Sequence, residues 1–151
     1  MSTFVSTRDL VGESVLEASI IDGSYRKYTE YKDDLLASIA RRSFYSCTKL
    51  ITADFPNLSG SITTQAFQDC KALAALILRN NAVVSLAATN VFLGATLITS
   101  GTGYIYVPRA VMEEYQIATN WSVYADQFRA LEDYTVDGTT TGELDETKIA
   151  A

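Results

Sequence analysis

The 151 residues include no histidine, two cysteines, two prolines and one tryptophan. Missing histidine removes the commonest general base and the commonest metal ligand. A structural zinc site of the usual kind wants four Cys or His ligands, and Cys47 and Cys70 supply two, so neither a metal nor a cofactor is expected. Without histidine a Ser or Cys nucleophile needs a Lys or Asp base, and no local constellation of that kind stands out, so an enzyme is not expected. Basic residues are outnumbered 12 to 18, and no basic run exceeds Arg41-Arg42. Nucleic-acid binding and a polybasic membrane anchor are therefore not expected. The longest strongly apolar run, residues 72–78, stops at Arg79, far short of a membrane span, so no membrane insertion is read. The opening residues, MSTFVSTRDLVGES, lack a basic start followed by an apolar stretch. No secretory signal is read there, Met1 reads as a natural start, and the chain is expected to begin in the cytoplasm of the cell that makes it.

What the sequence does contain is a repeat. FYSCTKL at 44–50 and FQDCKAL at 67–73 place Phe, Cys and Leu at the same offsets, 23 positions apart (67 − 44 = 23). Leu35, Ile39, Phe44, Cys47 and Leu50 match Leu58, Ile62, Phe67, Cys70 and Leu73 at that spacing. A degenerate third pass runs through Leu86 and Phe92, with Ala95 where a cysteine would stand. Between the matches lie strand-like segments at 50–56, 73–79 and 104–107. The middle one, Leu73-x-x-Leu76-x-Leu78-x-x-Asn81-x-Val83, has the leucine-rich-repeat pattern and period. Leu73, Leu76 and Leu78 are expected to point inward, and Asn81 to satisfy backbone groups where the strand turns away. One such coil cannot bury its apolar face alone, so coils must stack and their ends be capped.

Signals before and after the repeat suggest the caps. Ser6-Thr7-Arg8-Asp9 reads as a helix start, and Gly23 sits where a helix should stop. Leu10, Val11, Val15, Ala18 and Ile21 give residues 7–22 one apolar stripe, expected as an assembly or anchoring helix. Residues 24–31, SYRKYTEY, read as one tyrosine-rich strand. Beyond the strand YIYV, Pro108 suits the first turn of a helix, with Val111, Met112, Tyr115 and Ala118 on one face. Ser122 is a candidate N-cap for a second helix carrying Tyr124, Phe128 and Leu131. Residues 135–151 are polar and acidic. Asp137-Gly138 is a turn signal there, and either a short hairpin or a loosely held tail fits. The expected organisation is an N-terminal arm and helix (1–23), a repeat domain with its C-terminal cap (24–134), and an acidic tail (135–151).

The paired FxxCxxL coils, the segment LILRNNAVVSLAATNVF and the stretch GTGYIYVPRAVMEEYQIATNWSVYADQFRALEDY resemble the BspA-like leucine-rich repeats. Those found in phages and prophages of gut and other Gram-positive bacteria are the most similar. The resemblance spans residues 20–145 by eye and departs from the family in having only about two good coils. It implies an α/β repeat fold: a short leucine-rich-repeat solenoid with an N-terminal amphipathic helix and a strand–helix–helix C-terminal cap. It also implies a virion structural protein (tail, baseplate, head fibre or decoration), made in the host bacterial cytoplasm and used for host attachment. The second reading is a bacterial cell-surface or secreted adhesin. Neither brings catalytic residues.

Candidate chemistry is sparse. Cys47 and Cys70 stack at equivalent positions, where a disulfide is sterically conceivable, but buried free thiols are favoured because no signal points to an oxidising compartment. The acid pairs Asp33-Asp34, Glu113-Glu114 and Glu132-Asp133 point apart along an element and read as solvated surface charge. Ser100-Gly101-Thr102-Gly103 precedes a strand rather than a helix and reads as a turn. Strand alternation sends Ala53, Phe55, Leu76, Leu78, Ile105 and Val107 inward. It sends Thr52, Asp54, Ala75, Ile77, Arg79, Tyr104 and Tyr106 outward, where an exposed face could bind a glycan or protein of a host surface. The competing reading has Tyr104 and Tyr106 covering a neighbouring strand or packing on a cap helix. Trp121 reads as a packing anchor. Expected partners are other virion proteins and further copies of this chain, a trimer being the guess.

Overall fold

A computed structural model describes residues 37–149 and, ahead of them, the backbone of two strands, Tyr25–Lys27 (β1) and Glu30–Lys32 (β2). The expected helix over 7–22, with Leu10, Val11, Val15, Ala18 and Ile21, lies outside the described residues. The fold is mixed α/β, built on parallel sheets with few helices. β3 (Thr52–Phe55), β5 (Ala75–Leu78), β7 (Tyr104–Val107) and β8 (Phe128–Ala130) complete a six-stranded sheet ordered β1-β2-β3-β5-β7-β8. Every pairing in it is parallel except β1 with β2. A second sheet pairs β4 (Ser61–Ile62) with β6 (Ser85–Leu86), and Ile39 bridges Ile62 beside it.

The register reproduces the sequence repeat. Thr52 pairs with Ala75 and Ile39 with Ile62, each 23 residues on (75 − 52 = 62 − 39 = 23). Between the sheets, the backbone of one pass bonds to the next: the Phe44 and Ser46 N–H groups donate to Ala66 and Gln68 carbonyls at 2.7 Å. Phe67 and Asp69 repeat the step onto Val91 and Leu93 at 2.9 and 2.8 Å. Such cross-pass bonds satisfy backbone groups that a buried turn would otherwise leave unpaired.

The main core fills the space these passes enclose. Phe44 stacks on Phe67 with centroids 5.0 Å apart, Phe67 on Phe92 at 5.7 Å, and Phe92 meets Tyr124 and Trp121 at 5.5 and 6.1 Å. These separations lie in the favourable range for aromatic pairs. Phe55, Leu76, Leu78, Ile105 and Val107 point into the same core, as alternation requires. Cys47, Cys70 and Ala95 are buried with them, and both thiols are free.

The C-terminal segment packs against the same core. A short helix, α1 (Thr96–Ser100), ends at Gly101, whose φ of 90° suits glycine, and the chain enters β7. Pro108 leads into α2 (Arg109–Ile117), which buries Val111 and Tyr115. Trp121 is fully buried and donates its indole N–H to the Val84 carbonyl at 2.7 Å, the packing anchor its lone occurrence suggests. The Tyr115 hydroxyl accepts the Val84 N–H at 2.9 Å, so both cap aromatics fix one backbone position.

Four expectations change. Residues 24–31 hold two antiparallel strands rather than one, because β propensity does not locate a reversal inside a β-rich run. In place of the second cap helix, Ser122–Gln127 forms two short 3₁₀ turns broken by a kink at Tyr124, followed by β8. Ser122 begins that segment without a side-chain capping bond, Trp121 standing before it. A helix would set Phe128 and Leu131 on one face; the strand sends Phe128 to the main core and leads Leu131 to the opposite side of the sheet, giving β7 a partner it would otherwise lack. Asn81 is exposed, and its neighbour Asn80 makes the turn bond instead, accepting the Ala82 N–H at 2.9 Å.

Candidate functional site

The outward face of the large sheet was the expected binding surface, and alternation places its residues together there. Its exposure is corrected. Asp54, Ile77, Arg79 and Tyr106 are buried, at 4, 0, 6 and 3% exposure, while Thr52 and Tyr104 are half-buried. The cover is the segment 131–149, made of the end of the expected cap and most of the expected acidic tail (135–151). Leu131 is buried against Ala75, Ile77 and Tyr106, and Tyr134, Leu144 and Ile149 pack around this second apolar cluster.

The cover is a small structure of its own. Thr135 bridges Leu144 antiparallel, and the Val136 and Asp145 N–H groups donate to the Glu143 and Tyr134 carbonyls, each at 2.8 Å. At the tip Gly138 takes a φ of 75°, and the Asp137 carboxylate accepts the Thr139 hydroxyl at 2.8 Å. That bond holds the Asp137 carboxyl below its usual range. The Thr147 hydroxyl does the same for Asp145 at the start of α3 (Glu146–Ile149). The hairpin is thus the turn that Asp137-Gly138 signals, laid onto the sheet.

Arg79 ties the two together. Its Nε and one terminal nitrogen bind the two Asp54 oxygens, each at 2.8 Å. The other terminal nitrogen donates to the Thr140 and Gly142 carbonyls at 2.9 and 2.7 Å. The pair joins β3 to the residue that follows β5, and the remaining guanidinium nitrogen reaches the cover. Both Asp54 oxygens are thus engaged in one bidentate, charge-assisted pair. Alongside, the Tyr106 ring meets Tyr134 at 4.9 Å edge-on, and burial pushes its phenol up to about 12. The Arg129 guanidinium lies 4.3 Å from the centre of the half-buried Tyr104 ring, a cation–π contact on the edge strand.

Sequence reasoning found the face and missed its cover: Leu131, Tyr134, Thr140, Gly142 and Leu144. One signal pointed to it. β5 reads ALIL, apolar on both sides, and a parallel strand of that kind is covered on both faces.

Elsewhere, Cys70 donates its thiol hydrogen to the Phe44 carbonyl, 2.9 Å away. Contact with Cys47 and then burial push its ionisation far upward, so it stays a neutral thiol. Glu113 and Glu114 are exposed, whereas Glu132 accepts the Arg109 N–H and Asp133 takes the Arg109 guanidinium. Among the described residues no three His, Cys, Asp or Glu side chains gather as metal ligands, and no helix is long and apolar enough to cross a membrane. No family model, curated protein or solved structure matches the chain.

Proposed function

We propose that the chain is a non-enzymatic bacteriophage virion protein, a tail, baseplate, head-fibre or decoration component, presenting a short BspA-like leucine-rich-repeat solenoid. The supporting observation is the concordance of sequence likeness with packing. FxxCxxL segments, on which the likeness rests, put Phe44 on Phe67 and Cys47 beside Cys70 in successive passes. The cap motif supplies the buried Tyr115 and Trp121 that close the stack. A protein built this way spends its uncommon residues on packing, and its function lies in the surfaces it presents. On this reading its partners are other virion proteins and further copies of itself, and attachment to a host-surface glycan or protein uses faces other than the covered one.

Mass spectrometry and electron microscopy of purified parent particles test the reading. A stoichiometric presence, with density matching the stacked passes, is expected; absence from the particles sinks it. The same likeness fits a bacterial surface adhesin, which a longer precursor carrying an export signal would establish in its place.

A further inference from the structure

β8 ends the six-stranded sheet, so one of its two sides pairs with β7 and the other has no strand beside it. The backbone shows which groups face that open side. The Tyr104 N–H donates to the Ala74 carbonyl at 2.9 Å, so Tyr104 and Tyr106 turn their backbone groups towards β5, and Ile105 and Val107 turn theirs towards β8. In the register of β7 with β8, Ile105 and Val107 flank Tyr106, the partner of Arg129, so the ladder runs through the Arg129 N–H and carbonyl. The Phe128 carbonyl is left facing outward. Arg129 itself fills that acceptor. One terminal nitrogen of its guanidinium donates to the Phe128 carbonyl at 2.8 Å and to the Asp126 carbonyl at 2.9 Å. The same guanidinium rests on the Tyr104 ring, which stands edge-on to Tyr106 with centroids 6.5 Å apart.

We infer that Arg129 is an edge lock, a built-in contact that keeps β8 from accepting another extended segment. An uncovered strand edge is a template for further pairing, and a charged side chain is one means of closing it. Here the closure is direct, because the charge sits on the acceptors themselves. An incoming strand needs the Phe128 carbonyl, and must first draw the guanidinium off two carbonyls and off the Tyr104 face, where the contacts are charge-assisted. The brevity of β8, three residues before the turn at Leu131–Asp133, works in the same direction by leaving few other groups to pair. This role concerns the edge of the sheet rather than its covered face, and it is independent of the virion reading.

Light scattering and infrared spectroscopy of the full chain, of Arg129→Met and of Arg109→Met test the lock. Both variants lose one positive charge and gain the same apolar side chain, but Arg109 binds the Asp133 carboxylate rather than strand carbonyls. Arg129→Met is expected to begin associating at a concentration about tenfold below that of the unaltered chain, with an intermolecular β-sheet band growing in the amide I region. Arg109→Met is expected to match the unaltered chain. Tyr104→Leu keeps Arg129 but removes its ring seat, and should fall between the two. If Arg129→Met is unfolded by circular dichroism, Tyr104→Leu decides in its place. Association that begins no earlier than in Arg109→Met overturns the proposal, and so does association without the intermolecular band. An unaltered chain that associates through that band as readily as the variant overturns it as well.

Discussion

Asp54 on β3 and Arg79 just past the end of β5 hold positions that alternation turns away from the main core, and what they do depends on whether water reaches them. It does not: the ion pair is buried beneath Thr140 and Gly142. Breaking a buried pair from one side strands the other charge, at a typical cost of about 3–5 kcal/mol. Asp54→Ala should therefore lower stability by about that much in a urea titration. Replacing both partners together, Asp54→Leu with Arg79→Met, should cost less than the single change. A loss under about 1 kcal/mol for Asp54→Ala, the scale of exposed pairs, would mean that water enters under the hairpin. The tyrosines give a second residue-level prediction. Burial raises both Tyr106 and Tyr115 from 10.0 to about 12. Between those values the unfolded chain has lost the phenol proton and the folded chain keeps it, so stability falls as pH rises through that window. The thermal midpoint should drop from pH 10 towards 12, and by less in Tyr106→Phe; an equal drop in that variant would contradict the burial. The side of the sheet for Asp54, Arg79 and Tyr106 was legible from the period of two. Their burial was not, because alternation is silent about what lies over a face.

At the scale of elements, the repeat was legible and its backbone device was not. Ser46, Asp69 and Gly94 occupy one position in successive passes, and all three are left-handed, with φ of 58, 62 and 77°. Arg42 and Gln65 form a second such pair at 58 and 60°. Side chains rarely adopt this conformation, and only Gly94 advertises it in sequence. Gly94 is also constrained by its neighbour: a Cβ there would meet the Asp69 carboxylate oxygen at 2.0 Å. Gly94→Ala should destabilise by more than about 1 kcal/mol, since the native φ is unsuited to alanine and the space is taken. Adding Asp69→Ala should restore part of the loss by removing the clash while leaving the strained φ. Denaturant midpoints of the two variants separate the contributions, and equal midpoints would show that space plays no part. The β8 segment failed to announce itself for a related reason. Tyr124, Phe128 and Leu131 are spaced for a helix, but the open edge of β7 decides the matter by offering backbone partners to a strand.

For the molecule as a whole, the two faces of the sheet are secured unequally, and that inequality fixes the order in which the structure opens. The enclosed face shares one continuous core running from Ile39 through the stacked phenylalanines to Trp121 and Phe128, so the passes gain or lose their packing together. The covered face carries a smaller cluster, and its cover keeps Val136 69% exposed with most of residues 136–148 at the surface. Regions with few buried apolar contacts and exposed backbone bonds open at lower free energy than the core they rest on. Native-state hydrogen exchange should therefore split the amides into two groups. Val136 and Asp145, bonded within the hairpin, should exchange at a lower opening free energy than amides in the centre of β5 and β7. In Leu144→Ala, which thins the packing of the hairpin itself, the first group should exchange faster still, while protection in the core strands falls much less. A single opening free energy shared by hairpin and core strands would mean that the cover belongs to one cooperative unit with the core, and that the chain has no separable second layer.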